Sequence, residues 1–365
     1  MPRLGPTVAA LRMPRMPGAD AAGAGRLRTV AGSGSNPGRL VMKVHAPVDR
    51  GPGAALVVVL HGCTQTAEEY AAAAGWLDLA DRFGFVVMTP EQARPNNPNL
   101  CFNWFQPGDI RRGAGEAESI AQMIAHTVGA YDLDASRVFI TGLSAGGAMT
   151  SVMLATYPEL FAGGAIVAGL PFGVAASVPE AMEAMAMTAA PSAATLGAAV
   201  RGASAHAGPW PTVSVWHGQA DRVVRPAAGE AVAAQWRAVH GATGPAQTAR
   251  TPDGRDFLVW LAPDGEPAVE LHRVPGLGHG APVRATGPNG CGHASLYTPE
   301  TGVSSSFEIA LGWGLVERDA AAAPSGTRPP PRPAAMERPA PVRPGPADGV
   351  SRVINDALRA AGLLQ

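Results

Sequence analysis

Several features that would assign the chain to a particular class of protein are missing from its 365 residues. Its apolar stretches are cut by Gly, Pro or charged residues before reaching the ~18 residues that a membrane-spanning helix needs. Lys and Arg (28) nearly balance Asp and Glu (29), and no dense basic segment carries interleaved aromatic residues. The sequence therefore gives no reason to expect a membrane or nucleic-acid partner, and it favours a neutral or small substrate.

Cysteine is also scarce. The three cysteines are Cys63, Cys101 and Cys291, which allow at most one intramolecular disulfide and fit neither a disulfide scaffold nor a zinc ribbon. The first 24 residues carry arginines but no uninterrupted apolar segment, so a secretory signal is not recognisable. These observations leave the redox compartment open.

Short apolar runs alternate with segments of helical periodicity. The runs, which are typical of buried strands, are Gly53–Gly62, Phe83–Pro90, Ser136–Gly142, Gly163–Gly169 and Thr212–Gly218. The segments with apolar residues three or four positions apart are Ala67–Arg82, Glu116–Ala130, Ala145–Tyr157 and Ala227–Val239. This alternation predicts an α/β fold, with a mostly parallel central sheet and helices on both faces.

The segment Gly142-Leu143-Ser144-Ala145-Gly146 matches G-x-S-x-G and lies between a predicted strand and a predicted helix. A nucleophile elbow needs this context, because a sharp turn holds the serine in a strained backbone and the flanking glycines relieve crowding. A tightly packed glycine turn and a phosphate loop are the alternatives. A phosphate loop is disfavoured, since no lysine follows and the G-x-G-x-x-G spacing is missing.

A nucleophilic serine needs a base and a group that orients the base, and in α/β-hydrolases these follow as an acid and then a histidine. Asp221 follows a predicted strand, and the alternative is a turn or cap aspartate. His279 lies in a glycine-rich loop, with His217 and His293 as competitors. A zinc site at His279, Cys291 and His293 is a further alternative, but neither HExxH nor paired CxxC is present, so we predict no metal and no organic cofactor.

An acyl-transfer reaction also needs two donors for the oxyanion of its tetrahedral intermediate. The backbone N–H of Ala145 directly follows the serine and is predicted to be one of them. The turn after an early strand contains His61 and Gly62, which places the N–H of Cys63 as the second.

Seven separated segments together resemble the poly(3-hydroxybutyrate) depolymerase family of esterases in the α/β-hydrolase superfamily. They are LHGCTQTAEEYAAAAGW, PEQARPNNPNLCFNWF, GAGEAESI, GLSAGGAM, HGQADRVV, GLGHGAPV and a late GW, all in family order. The resemblance, which runs from about Arg39 to Leu315, implies an α/β-hydrolase fold and a triad of Ser144, Asp221 and His279. It also implies hydrolysis of carboxylic esters, in some members of short-chain polyhydroxyalkanoates, and an extracellular location, with a cytoplasmic one as the alternative.

The loops around such a site suggest further roles. We expect Gln65, Asn103 and Trp104 to contact the substrate, and the family-like segments around Cys101 and Cys291 suggest a disulfide between these two residues. Two other functions stay open: a feruloyl or acetylxylan esterase on this framework, and a non-catalytic polyester-granule or partner-binding protein attached through its C-terminal tail.

The domain organisation follows from composition. We expect an N-terminal extension (1–35), a catalytic domain (36–318), a Pro-rich linker (319–348) and a C-terminal amphipathic helix (349–365) that docks on the domain or on a partner. Within the domain, residues 175–208 are rich in Ala, Met and Ser. They predict either a small cap over the site or a pair of surface helices.

Overall fold

The computed structural model describes residues 25–251 and 254–317. Its strands are β1 (Arg28–Val30), β2 (Val41–His45), β3 (Leu56–Leu60), β4 (Val86–Glu91), β5 (Val138–Leu143), β6 (Gly163–Val167), β7 (Thr212–Gly218), β8 (Gln247–Arg250), β9 (Asp256–Leu261) and β10 (Pro267–Val274). Its helices are α1 (Ala67–Ala73), α2 (Trp76–Phe83), α3 (Gly115–Tyr131), α4 (Ala145–Thr156), α5 (Val178–Ala186), α6 (Ala193–Arg201), α7 (Pro226–His240) and α8 (Ser305–Gly312), with a 3₁₀ turn at Pro158–Leu160.

The strands form one sheet in the order β1-β2-β4-β3-β5-β6-β7-β10-β9-β8. The six central strands, from β4 to β10 in this order, pair in parallel, while β1, β2, β8 and β9 pair antiparallel at the two edges. The prediction of a mostly parallel α/β sheet is therefore confirmed. The antiparallel edge strands were not predicted, and β1 lies inside the predicted N-terminal extension, so the sheet begins before residue 36.

Helices cover both faces of the sheet, as predicted, and a hydrophobic core lies on each face. Successive residues of β3 belong alternately to the two cores: Leu56, Val58 and Leu60 lie in one core, and Val57 and Val59 lie in the other. Apolar side chains of α3, α4, α5, α6 and α7 fill the first core, and those of α1, α2 and α8 fill the second. All twelve residues of α4 are buried, which fixes this helix firmly at the centre of the molecule.

The single helix predicted over Ala67–Arg82 is wrong, because the chain forms two helices there. A capping box between Thr66 and Glu69 starts α1, but Gly75 adopts φ 87° and ends the continuous helical path. A Cβ on Gly75 would lie 2.6 Å from Cys291 Sγ. The break therefore makes room for the segment around Cys291, a contact that periodicity does not reveal.

The region 175–208 contains α5 and α6. Apolar residues of α6 pack against α7 in the first core, and Ala181 and Ala184 of α5 belong to the same core. Residues of α5 also line a cavity at Ser144. The predicted linker (319–348) and C-terminal helix (349–365) fall outside the described residues. None of the described helices has the length and hydropathy required to cross a membrane.

Candidate active site

Ser144 lies in the turn between β5 and α4, with φ 58° and ψ −117°. This backbone conformation is costly for a residue that carries a side chain. Two hydrogen bonds hold it: the Ser144 N–H donates to Val167 O (2.9 Å), and the Ser144 carbonyl accepts from Ala148 N (2.8 Å). The turn therefore has the strained strand-to-helix geometry of a nucleophile elbow.

The two glycines of the motif are required by close backbone contacts. A Cβ on Gly142 would lie 2.4 Å from the Gly146 carbonyl, and one on Gly146 would lie 2.3 Å from the carbonyl oxygen of Leu60. Residues with side chains would push α4 away from the sheet. The motif therefore reflects how closely the helix approaches β3 and β5.

Asp221 and His279 form a buried pair on the loops that follow β7 and β10. His279 Nδ1 lies 2.8 Å from Asp221 Oδ2, and the backbone N–H groups of Val223 and Val224 donate to Oδ1 at 2.8 and 3.0 Å. Burial acts to raise the pKa of Asp221, but the adjacent His279 and His217 outweigh it and hold this pKa below its ordinary value. An ionised Asp221 accepts the Nδ1–H of His279, which leaves a lone pair on Nε2.

The two loops meet because their backbones bond to each other. Ala220 N–H donates to Leu277 O at 2.9 Å, and a Cβ on Gly218 would lie 2.3 Å from the same oxygen. His279 Nε2 is buried, and no protein group in the described part of the chain bonds to it, Ser144 included. Catalytic hydrogen bonds are often long before substrate binds, so this arrangement is compatible with a general base.

His217, a competitor of His279 in the sequence, supports Asp221 instead. Its Nε2 lies 2.9 Å from Val224 O and 3.5 Å from Asp221 Oδ2, at the end of β7. The other competitor, His293, is exposed, and its carbonyl accepts from Thr298 Oγ1. The structure therefore pairs His279, and not His293, with the predicted acid.

The turn after β3 packs directly against Ser144, since a Cβ on Gly62 would lie 3.6 Å from the Ser144 Cβ. Within the described residues no protein group accepts a hydrogen bond from the N–H of Cys63 or of Ala145. Both N–H groups therefore lack a protein acceptor, and their role as oxyanion donors stays a prediction.

A mainly apolar cavity opens at Ser144. One wall comes from the loops after β3 and β4, another from α5, and a third from the segment after Asp221. The lining residues are Cys63, Asn97, Asn99, Cys101, Trp104, Phe105, Ser144, Leu170, Val178, Ala181, Met182, Met185, Val223 and Val224. A hydrogen bond from Arg225 N to Met185 O (2.9 Å) joins α5 to the loop that carries Asp221.

Comparison with known proteins decides the family. Residues 40–258 match the family described as esterase PHB depolymerase. The chain is 43% identical to poly(3-hydroxyalkanoate) depolymerase C of Paucimonas lemoignei over 292 residues, which is 80% of this chain and 70% of the relative. The chain belongs to the PHB depolymerase esterase family. It is therefore a carboxylic ester hydrolase.

Other relatives of this esterase are named as acetylxylan esterases. It is 30% identical to acetylxylan esterase A of Talaromyces purpureogenus over 290 residues, covering 75% of this chain and 74% of the relative. The solved acetyl xylan esterase from Aspergillus awamori matches 80% of this chain and all of its own length, with a TM-score of 0.66 and 23% identity. The last match confirms the α/β-hydrolase fold.

The disulfide predicted for this esterase is wrong. Cys101 is bonded to Cys63, with their Cα atoms 4.2 Å apart, and Cys291 is a free, buried thiol. Strands β3 and β4 are parallel neighbours, so the loops that carry Cys63 and Cys101 leave the sheet at the same edge. Cys291 instead packs beside Gly75, where its Sγ lies 3.1 Å from Ser304 Oγ.

Thiol counting distinguishes the two pairings when it includes the variant Cys291→Ala. We expect one thiol in wild-type protein unfolded without reductant, three after reduction, and none in the unfolded, unreduced variant. Native protein should react slowly, because burial raises the pKa of Cys291 to about 11 and the thiolate is the reactive form. Two thiols in the unreduced variant would instead support a bond from Cys101 to Cys291.

The residues expected to contact substrate lie in three different places. Trp104 lines the cavity at Ser144. Gln65 is buried, and its Oε1 accepts the N–H of Gly62 at 2.8 Å. Asn103 lines a separate polar cavity, where its Nδ2 lies 3.1 Å from Asp109 Oδ2. Trp104 thus has direct access to a ligand at Ser144, whereas Gln65 contacts the turn that carries Cys63.

The alternative zinc site is not assembled. The Cys291 thiol forms a hydrogen bond with the Ser304 hydroxyl, and His279 forms one with Asp221. Among the described residues no cluster of three His, Cys, Asp or Glu side chains has the proximity that a metal ion needs.

One titratable residue at the site was missed by sequence reasoning. Glu116 lies in the first turn of α3 and is fully buried, and it accepts hydrogen bonds from Gln92 Nε2 (2.5 Å) and from Asn103 N (2.9 Å). Burial raises its pKa to about 8. An acidic residue in the first turn of a helix is usually exposed, so nothing in the segment GAGEAESI distinguishes Glu116 from a surface residue.

The raised pKa of Glu116 makes protein stability depend on pH. The folded state binds this proton up to pH about 8, whereas the unfolded chain releases it near 4.5. Between these values the folded state holds more protons, so the free energy of unfolding falls as pH rises. We expect Glu116→Gln to remove this part of the decline. The free energy of unfolding in urea of wild type, minus that of the variant, should therefore fall between pH 5 and pH 9. An unchanged difference over that range would contradict the assignment, and the exposed Glu266→Gln is the control.

Proposed function

We propose that this esterase hydrolyses 3-hydroxyalkanoate esters, poly(3-hydroxybutyrate) or its oligomers, through a serine, histidine and aspartate triad. The observation that carries the proposal is the buried Asp221–His279 pair, whose free Nε2 lies at the same sheet edge as the strained Ser144. The substrate class is supported by the 43% identical poly(3-hydroxyalkanoate) depolymerase C.

The reaction proceeds in two halves. In the first, the Ser144 hydroxyl attacks the ester carbonyl while His279 Nε2 takes its proton, and that proton then goes to the departing alkoxide. The products are an alcohol and an acyl-serine. In the second half, water repeats the attack, His279 again transfers the proton, and the hydroxy acid leaves with Ser144 restored.

Asp221 keeps His279 in the productive tautomer. Its Oδ2 accepts the Nδ1–H of His279 while Oδ1 is held by Val223 and Val224. The carboxylate therefore cannot rotate without losing two hydrogen bonds, and it stabilises the imidazolium that forms in each half. The N–H groups of Cys63 and Ala145 bind the oxyanion.

The cavity suits an aliphatic acyl group. Its lining combines Val178, Ala181, Met182 and Met185 of α5 with the Cys63–Cys101 disulfide and Trp104. This arrangement supports the prediction of a small cap, with α5 as the part that covers the substrate. Apolar walls stabilise the methyl-bearing chain of a hydroxybutyrate unit by removing it from water.

The disulfide also supports one of the two predicted locations. A disulfide at the oxyanion turn persists in an oxidising compartment and is rare in the cytosol. This observation supports the extracellular location over the cytoplasmic one.

Acetylxylan esterase activity is the alternative, and the relative from Talaromyces purpureogenus favours it. The two functions share the triad and differ in the group that enters the cavity: an acetyl group in one case and a 3-hydroxyacyl unit in the other. Feruloyl esters are a third substrate of the same chemistry.

Initial rates on a panel of esters separate these functions. The panel consists of p-nitrophenyl butyrate, a 3-hydroxybutyrate trimer, amorphous poly(3-hydroxybutyrate), acetylated xylan and methyl ferulate, with Ser144→Ala as the blank. Release of 3-hydroxybutyrate from trimer or polymer at a kcat/KM well above the values for acetylxylan and ferulate is expected. Activity confined to acetylxylan or ferulate would overturn the proposed substrate and leave the triad intact.

A further inference from the structure

The turn that carries Cys63 is clamped by groups that no step of the mechanism uses. His61 is fully buried, with Nδ1 2.8 Å from Gly62 O and Nε2 3.1 Å from the backbone nitrogen of Gln92. A backbone N–H can only donate, so Nε2 must be the acceptor. The proton therefore sits on Nδ1 and is donated to Gly62 O.

This hydrogen bond fixes the direction of an oxyanion donor. Gly62 C=O and Cys63 N–H belong to one planar, trans peptide, in which the two groups point in opposite directions. Holding the oxygen towards His61 therefore aims the Cys63 N–H away from His61. The neighbouring peptide is held as well, because Gly62 N–H donates to Gln65 Oε1 at 2.8 Å.

His61 is itself supported from the far side. The side chain of Gln92, whose N–H bonds to His61, donates to Glu116 Oε1 (2.5 Å) and to Cys101 O (3.0 Å). Glu116 also accepts from Asn103 N. The start of α3 thus anchors both the residue that orients the Cys63 amide and the loop that carries Cys101 and Trp104.

We propose that His61 is a positioning residue for ester hydrolysis, which orients the Cys63 N–H towards the oxyanion, and that Gln92 and Glu116 hold His61 in place. The proposal rests on the proposed function, since it needs Ser144 to form a tetrahedral intermediate. Burial lowers the pKa of His61 and so favours the neutral ring that this hydrogen-bond pattern requires. A donor that is preorganised before reaction contributes to the transition state more than to substrate binding.

The first variant is His61→Phe, which keeps an aromatic ring beside Phe102 and removes both hydrogen bonds. We expect kcat on p-nitrophenyl butyrate to fall ~10²-fold to 10³-fold, the usual effect of losing one oxyanion donor. We expect KM to stay within about threefold, because the donor acts mainly in the transition state. The inhibition constant of butaneboronic acid, whose adduct with Ser144 is tetrahedral, should rise with the loss in kcat.

A merely structural role would not give this pattern, and two variants test it. Asn carries Nδ2 where histidine carries Nδ1, so His61→Asn can still donate to Gly62 O and should recover part of kcat. His240→Phe is the matched control: His240 Nε2 also bonds a backbone carbonyl, Pro211 O at 3.0 Å, but this contact lies at the amino end of β7, away from Ser144. It should lower the melting temperature and leave kcat unchanged.

Glu116→Gln keeps the proposal testable if His61→Phe does not fold. It replaces one acceptor oxygen by an amide group and should lower kcat about fivefold, with little change in KM, as expected for the loss of one hydrogen bond. If His61→Phe folds, a kcat within about twofold of the wild-type value would overturn the proposal. If it does not fold, the same result for Glu116→Gln would overturn it. A fall in kcat matched by His240→Phe would do the same. Failure of the wild type on every ester would instead overturn the proposed function, and with it this inference.

Discussion

Replacing Ser144 with alanine is expected to lower kcat on p-nitrophenyl butyrate by about 10⁶, to the level left by the rest of the site. In the proposed mechanism the substitution removes the oxygen that forms the acyl-enzyme, while the turn, α4 and the His279–Asp221 pair keep their contacts. The loss corresponds to about 8 kcal/mol of transition-state stabilisation, since each factor of ten equals 1.36 kcal/mol. KM should change little, because the hydroxyl contributes almost nothing to substrate binding.

The control is Ser136→Ala, at an exposed position where the lost hydroxyl donates a hydrogen bond to Asp134 Oδ1. Both variants should give the wild-type circular dichroism spectrum. Ser144 is strained, with φ 58°, and alanine bears the same cost, so the melting temperature should stay close to that of wild type. Wild-type turnover by a pure preparation of Ser144→Ala would contradict the assignment of the nucleophile.

Asp221→Asn is expected to lower kcat by about 10⁴ at pH 7, as for other triad aspartates. The asparagine can keep its oxygen towards the N–H groups of Val223 and Val224, and this choice turns its NH₂ towards His279 Nδ1. An amide N–H facing Nδ1 needs a lone pair there, so the imidazole proton moves to Nε2. His279 then cannot accept the proton of Ser144.

Matched measurements separate this tautomer effect from loss of structure. Asp264→Asn changes an exposed turn carboxylate that bonds to Glu266 N, and it should leave kcat unaltered. In the ¹H NMR spectrum, the low-field resonance of the His279 Nδ1 proton should be present in wild type and absent in Asp221→Asn. Retention of that resonance together with full activity would show that Asp221 does not orient His279.

The elements that hold the site could be predicted from sequence because each leaves a local signal. The strand before Ser144 and the helix after it show different periodicities, and Gly142 and Gly146 mark the close approach of α4 to the sheet. The loop residues Asp221 and His279 follow strand-like runs, so their positions at the carboxyl edge of a parallel sheet could be inferred. The distance of 2.8 Å between them comes from the pairing of β7 with β10, which the sequence does not specify.

Contacts between distant segments account for what could not be predicted. The partner of Cys101 depends on which strands are neighbours, and three cysteines offer no local reason to prefer Cys63. The break at Gly75 exists because Cys291 packs against it, more than two hundred positions along the chain. Glu116 reads as a surface residue of α3, and only the fold encloses it with Gln92 and Asn103.

Covalent trapping of the nucleophile tests the central claim most directly. Wild-type protein is incubated with a fluorophosphonate ester, and its intact mass and peptide map are recorded beside those of Ser144→Ala and His279→Ala. One phosphonyl group on the peptide containing Ser144 is predicted in wild type, with none in Ser144→Ala and much slower labelling in His279→Ala. Labelling of another residue, or rapid labelling of Ser144 without His279, would contradict the account.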